Sequence, residues 1–197
     1  MDYSIEKEYA AQGFGVICGC DEAGRGPLAG PVCAAAVILP MDLVIEGLND
    51  SKKLSEKKRE ALFDEIREKA TAYGIAFADE KEIDGINILN ASMLAMRRAI
   101  EAMPVTPDLA LIDGNRAKGF AQHAVPIVKG DAKSPSIAAA SILAKVTRDR
   151  LMKKLDEEYP GYGFAVHKGY PTKAHYDAIR EKGPCPIHRV TFLKKMH

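Results

Sequence analysis

The residues with the most chemical content lie in one stretch, Cys20-Asp21-Glu22-Ala23-Gly24-Arg25-Gly26-Pro27. Two adjacent carboxylates close an apolar, strand-like run, and a Gly-Arg-Gly turn follows at once. Charge at the mouth of a core strand has to be paired or bound to a metal, and hard carboxylate oxygens suit Mg²⁺ or Mn²⁺. The turn offers bare backbone N–H groups and one guanidinium, donors that fit a phosphate. Acids for a metal beside donors for a phosphate point to metal-assisted phosphodiester chemistry. Consecutive residues of an ideal strand face opposite sides. Asp21 and Glu22 therefore serve one site only if the strand is ending there; the alternative is a solvated acidic pair.

Further candidates are scattered along the chain. Asp113 ends the apolar run Leu109-Ala110-Leu111-Ile112 and opens a turn at Gly114-Asn115, a placement like that of Asp21. Asp131, in Lys129-Gly130-Asp131-Ala132-Lys133, precedes a long helical pattern and is a candidate fourth carboxylate. Asp149 competes for that role, but Arg148 and Arg150 bracket it, which favours a surface ion pair. Lys52, in Asp50-Ser51-Lys52-Lys53, is a candidate phosphate contact and equally a solvated loop lysine. Tyr170, in His167-Lys168-Gly169-Tyr170-Pro171, is an aromatic in a basic loop, suited to stacking on a sugar or base. His188 reads as structural or as support for such a site. Neither a dinucleotide fingerprint nor a phosphate-loop motif occurs.

These residues need a scaffold. Strand-like runs fall at 14–21, 32–39, 73–79, 109–113 and 124–128. Ser55 is positioned to cap a helix running to about Ala72, and Leu89, Met93, Met96, Ile100 and Met103 step around a core-facing helix that stops before Pro104. A longer helix is predicted over 136–158, and Thr172 opens one that Gly183-Pro184 closes. Two adjacent strands followed by alternating helices and strands give an α/β fold with a mixed five-stranded sheet flanked by helices. Sites in such sheets gather beyond the carboxyl ends of strands, where Asp21 and Asp113 fall.

The 197 residues suffice for one core, read as one domain over 1–197 with residues 160–197 as a helical C-terminal extension. No apolar run is long enough to span a bilayer, and the N-terminus is polar and acidic, which fits a cytoplasmic protein. The four cysteines lack zinc-ligand or redox spacing and read as reduced thiols. Charge is uneven: residues 1–113 carry 12 Lys/Arg against 20 Asp/Glu, and residues 114–197 carry 16 against 7. A basic half beside metal-holding acids suits a polyanion.

In combination, these segments resemble the bacterial ribonuclease HII family, the type 2 ribonucleases H. The resemblance runs through the stretch from Asp21 to Val32, then Asp50-Ser51-Lys52-Lys53-Leu54-Ser55, Asp113-Gly114-Asn115 and Lys129-Gly130-Asp131. It continues through 139–149, His167-Lys168-Gly169-Tyr170-Pro171-Thr172 and Pro186-Ile187-His188-Arg189. It implies a ribonuclease H-like fold and an endonuclease that cleaves RNA in RNA/DNA hybrids and single ribonucleotides embedded in DNA; a monomer is the default expectation. The products would carry 5′-phosphate and 3′-hydroxyl ends, with roles in ribonucleotide removal and primer degradation. It further implies a two-metal site on Asp21, Glu22, Asp113 and Asp131, with Gly24, Arg25, Gly26 and Tyr170 recognising the ribonucleotide. Arg25, where the related ribonuclease HIII usually has lysine, and the short segment before the first strand favour HII. A hybrid-binding protein without turnover is the alternative.

Overall fold

The computed structural model describes residues 1–194; residues 195–197 of the expected C-terminal extension lie outside the described residues. Five strands, β1 (Ile17–Ala23), β2 (Val32–Ile38), β3 (Ala72–Ala78), β4 (Leu109–Asp113) and β5 (His123–Ile127), form one sheet in the order β3-β2-β1-β4-β5. The β1–β2 and β2–β3 pairs are antiparallel, and β1–β4 and β4–β5 are parallel. Helices α1 (Ser4–Ala10), α2 (Glu56–Lys69), α3 (Glu80–Ile86) and α4 (Ile88–Glu101) are followed by the long α5 (Pro135–Glu158). Three short helices, α6 (Phe164–His167), α7 (Lys173–Lys182) and α8 (Val190–Leu193), follow it among the described residues.

Strand alternation sorts the core into two layers. Val32, Ala34 and Ala36 of β2, with Cys18 and Cys20 of β1, pack against Ala91, Ala95, Met96 and Ala99 of α4. Cys33, Ala35 and Val37 face the other way, onto Ala139, Ala140 and Leu143 of α5 and Leu62 and Ile66 of α2. The small residues let both helices lie close to the sheet. Gly74 and Gly19 mark the close approaches: a Cβ on Gly74 would strike the Ala99 carbonyl of α4, and one on Gly19 would fall inside the Ser136–Ile137 backbone at the start of α5. That start is fixed by Ser134, whose hydroxyl accepts the Ile137 N–H at 3.2 Å and donates to the buried Glu6 carboxylate at 2.6 Å. The chain thus ties α1 to the helix that leads away from Asp131.

The predicted strands and main helices are all present, with ends shifted by a few residues. β1 starts at Ile17 rather than Phe14 and runs on to Ala23, because its antiparallel pairing with β2 persists to Ala23↔Cys33 after its pairing with β4 has ended at Cys20↔Ile112. The helix expected to reach Ala72 stops at Lys69, where the chain turns into β3. The helix ending before Pro104 is preceded by α3, whose Asp79–Glu82 capping box is readable as D-x-x-E in the sequence. On α4, Leu89 and Met93 are only half-buried, and Ala91, Ala95 and Ala99 complete the packed face. All four cysteines are free thiols, three of them buried.

Gly19→Ala is expected to lower stability by about 3 kcal/mol or more, because neither the strand nor the helix backbone can yield locally. Urea denaturation of the two proteins checks this; an unchanged midpoint would mean that α5 is not seated on bare glycine backbone.

Candidate active site

Three carboxylates meet where α5 begins. The parallel register Cys20↔Ile112 brings Asp21 level with Asp113 at the carboxyl ends of neighbouring strands. Asp21 shares its face with Gly19, and Asp113 shares its face with Leu109 and Leu111; both faces are covered by the N-terminal end of α5. Asp131 sits in a short 3₁₀ turn, Gly130–Ala132, just before that helix. One oxygen from each of Asp21, Asp113 and Asp131 lies within 4.8 Å of the others. Asp113 Oδ1 accepts the N–H groups of Gly130 (2.7 Å) and Asp131 (3.3 Å), which locks the turn to the end of β4. Glu22 has the alternate strand facing and is not one of the three; its carboxylate meets the Arg25 guanidinium at 3.3 Å. It nonetheless borders the same cavity of about 400 Å³, with Ser51, Lys52, Ser141, Lys145 and Tyr170.

The acids repel one another. Burial, followed by the charges of Glu22 and Asp113, pushes the Asp21 carboxyl well above the usual range, against the Ser141 hydroxyl and the Glu22 N–H. Glu22 is raised by burial and by Asp113, with Arg25 acting in the opposite sense. Asp131 is raised by burial, Asp113 and Asp50 even though Lys52 Nζ stands 3.6 Å from it. That lysine is exposed, so its screened charge does not offset the neighbouring carboxylates. Uncompensated hard oxygens at this spacing fit a divalent cation such as Mg²⁺ or Mn²⁺.

The glycine turn is shaped from behind by two buried arginines. Arg189 donates to the carbonyls of Gly24 (2.6 Å), Arg25 (3.0 Å) and Gly30 (2.7 and 2.9 Å). Arg148 donates to Pro31 (2.9 Å), Ala29 (3.1 Å) and, across to the Tyr170 loop, Lys168 (2.9 Å). Burial lowers both guanidinium pKa values, that of Arg189 to about 9, with Arg148 adding to the effect. With these carbonyls occupied, the N–H groups of Arg25 and Gly26 have no acceptor among the described residues. Gly24 holds φ +98°, and a Cβ there would strike the Arg148 side chain. The half-exposed Tyr170 ring adjoins the turn, 3.6 Å from the place of a Cβ on Gly26. Lys145 Nζ lies 5.8 Å from its centroid.

The structure therefore collects Asp21, Glu22, Asp113, Asp131, Gly24, Arg25, Gly26, Lys52 and Tyr170 around one cavity mouth. Asp149 is elsewhere: it is buried and paired with Lys145 at 2.8 Å, not in a surface pair with its flanking arginines. Arg150 instead pairs with Glu60. Sequence reasoning missed Ser141, Lys145 and Arg148 as site residues. Their spacing of four and three, among Ala, Ile and Leu, was the available signal for a polar stripe on one helix face. It also missed the buried Ser51–Ser141 hydroxyl contact (2.8 Å), which ties the Lys52 loop to α5. A larger groove of about 620 Å³ lies between α1 and residues 42–48, but its Lys7 and Asp42 only pair with each other.

Comparison with known proteins agrees with this geometry. The sequence profile described as Ribonuclease HII matches residues 18–195. A Ribonuclease HII of Ruminiclostridium cellulolyticum is 59% identical over 191 residues, 97% of this chain and 75% of that protein. One of Acetivibrio thermocellus is 59% identical over 189 residues, 96% and 74% of the respective chains. The solved ribonuclease H2 of Pyrococcus horikoshii superposes with a TM-score of 0.72 at 29% identity, covering 89% of this chain and 93% of its own.

Arg148→Met would keep the volume but leave the carbonyls of Ala29, Pro31 and Lys168 without donors. A loss of roughly 3 kcal/mol is expected in equilibrium unfolding. A loss below about 1 kcal/mol would show that water replaces the guanidinium at no great cost.

Proposed function

Because this chain belongs to the ribonuclease HII family and is an RNase H endonuclease acting on nucleic acid, we propose that it cuts the RNA strand of RNA/DNA hybrids. Single ribonucleotides embedded in duplex DNA are its other substrate, and its products bear 5′-phosphate and 3′-hydroxyl ends. The observation that carries this reading is the triad Asp21, Asp113 and Asp131, within 4.8 Å of one another, beside a turn of free N–H groups.

Asp21, Asp113 and Asp131, with Glu22 alongside, would hold Mg²⁺ or Mn²⁺, which when bound would supply Lewis-acid activation of water and stabilisation of the leaving 3′-oxygen. The protein's own residues do the rest. Asp113 keeps Asp131 aimed inward through the Gly130 and Asp131 amides. Arg25 tempers Glu22 and presents its guanidinium at the exposed rim, where a phosphate enters. The backbone of Gly24, Arg25 and Gly26 comes close enough to read a 2′-hydroxyl, the group that separates RNA from DNA. Tyr170 stacks under the sugar on the 3′ side. Lys52 and Lys145 face the phosphate chain, and the lysines of the basic half add salt-dependent affinity without sequence preference. Ribonucleotide removal from DNA and primer degradation follow as roles, carried out by a monomer in the cytoplasm.

Asp21→Asn is expected to reduce cleavage of a duplex with one embedded ribonucleotide by at least about 10²-fold at saturating Mg²⁺. Near-wild-type turnover in a gel assay would remove Asp21 from the metal site. Tyr170→Ala should raise KM on the same duplex about tenfold, the loss of one stacking contact; an unchanged KM would end its role in recognition.

A further inference from the structure

Three imidazoles lie beneath Tyr170, and the catalytic reading uses none of them. His175 and His188 are buried, and their Nε2 atoms stand 3.1 Å apart. Between two ring nitrogens at that distance there is room for one proton, so the pair has a donor and an acceptor. The neighbours decide which is which. His175 Nδ1 lies 3.0 Å from the Tyr170 carbonyl, which only accepts, so Nδ1 carries the hydrogen and the Nε2 of a neutral ring is bare. His188 must then donate from Nε2, which leaves its Nδ1 to accept the Cys185 N–H at 2.9 Å. The Cys185 carbonyl, 3.2 Å from that Nδ1, would favour the opposite tautomer, but two bare Nε2 lone pairs would then face each other. Burial lowers both imidazole pKa values, that of His175 to about 4, which keeps the rings neutral.

The rest of the loop is consistent with this polarity. His167 stacks on His175 with centroids 4.4 Å apart. Its Nε2 donates to the Tyr162 carbonyl and its Nδ1 accepts the Gly169 N–H. The Tyr170 N–H is taken by the His167 carbonyl at 2.9 Å. The Tyr170 carbonyl accepts a second bond, from the Thr172 N–H.

We propose that His175 and His188 are positioning residues for Tyr170: a one-way chain of N–H donors, Cys185 to His188 to His175 to the Tyr170 carbonyl, sets the loop that aims the ring at the substrate sugar. The inference rests on the recognition role of Tyr170 given above. His188 also forms an isolated bridge with Ala29, so the chain is anchored to the segment that carries the glycine turn.

Two measurements test it. Histidine ¹⁵N–¹H correlation spectra of the intact protein should show the Nδ1–H tautomer for His175 and the Nε2–H tautomer for His188; the reverse assignment would overturn the chain. Kinetics on the single-ribonucleotide duplex should show KM raised about tenfold in His175→Phe, with kcat less affected. His175→Asn, whose amide N–H replaces that of Nδ1, should return KM to within about threefold of wild type. Both variants lose the acceptor for His188, so a purely structural role would impair them alike, and that result would refute the proposal. A wild-type KM in His175→Phe beside an impaired Tyr170→Ala refutes it alone. An unimpaired Tyr170→Ala removes the recognition reading and this inference together.

Discussion

The seat of α5 on the sheet is the contact from which the site's geometry follows. Where Gly19 removes a side chain from β1, the first turn of the helix lies directly on strand backbone. The 3₁₀ turn bearing Asp131 is thereby held against the ends of β1 and β4, and Asp113 fastens it there through two amide hydrogen bonds. From the same seat, the stripe of Ser141, Lys145 and Arg148 runs along α5 past the cavity and reaches the loop of Tyr170. One helix thus fixes both the acids and the lining of the adjoining cavity, and a rigid element defines such geometry better than loops would.

Charge is arranged with an unusual division. The carboxylates gather with too little cationic compensation, so their pKa values rise. Two guanidiniums, by contrast, are buried with no carboxylate in ion-pair contact among the described residues, and their direct hydrogen-bond partners are carbonyls. Neither arrangement is favourable for folding, since each keeps like charges or desolvated ions in place. Both are accounted for by what faces the cavity: oxygens left for a cation, and backbone N–H groups left for an anion. Had Arg148 and Arg189 paired with Asp21 or Glu22, the proposed cation site and the turn would have been lost together.

Much of this was legible in the sequence, for reasons that differ by residue. Asp21 and Asp113 were readable because each ends an apolar run, and strand ends are where such sheets keep their sites. Glu22 was readable as an acid but not as a separate one: only the continued pairing of β1 with β2 shows that it takes the alternate strand facing and stands beside the three-acid group at the same cavity. Asp131 and Asp149 had similar local credentials, and a contact across 18 residues, from Asp113 to the Asp131 amide, separates them. Arg148 and Arg189 were unreadable as turn-shaping groups because their partners are carbonyls, which every residue has and no side-chain pattern marks. Helix and strand identities survived, because periodicity is a local property, while ends moved wherever a neighbouring strand extended or cut short the pairing.

The proposed recognition surface is assembled from segments more than a hundred residues apart, which bears on how it is held. The turn at residues 24–26 reaches the loop at 168–170 through Arg148, through the Leu28 N–H on the Gly169 carbonyl, and through the Ala29–His188 bridge. Each link fixes flanking backbone rather than the side chains that would touch substrate. Arg25 and the Tyr170 ring therefore remain exposed and free to engage, while the positions from which they act are set by buried polar contacts. On the proposed function, a surface that distinguishes one hydroxyl on a sugar needs that combination, because a displacement of about 1 Å exceeds the tolerance of a hydrogen bond to it. The buried histidines and arginines behind the surface are thus better understood as its frame than as unused chemistry.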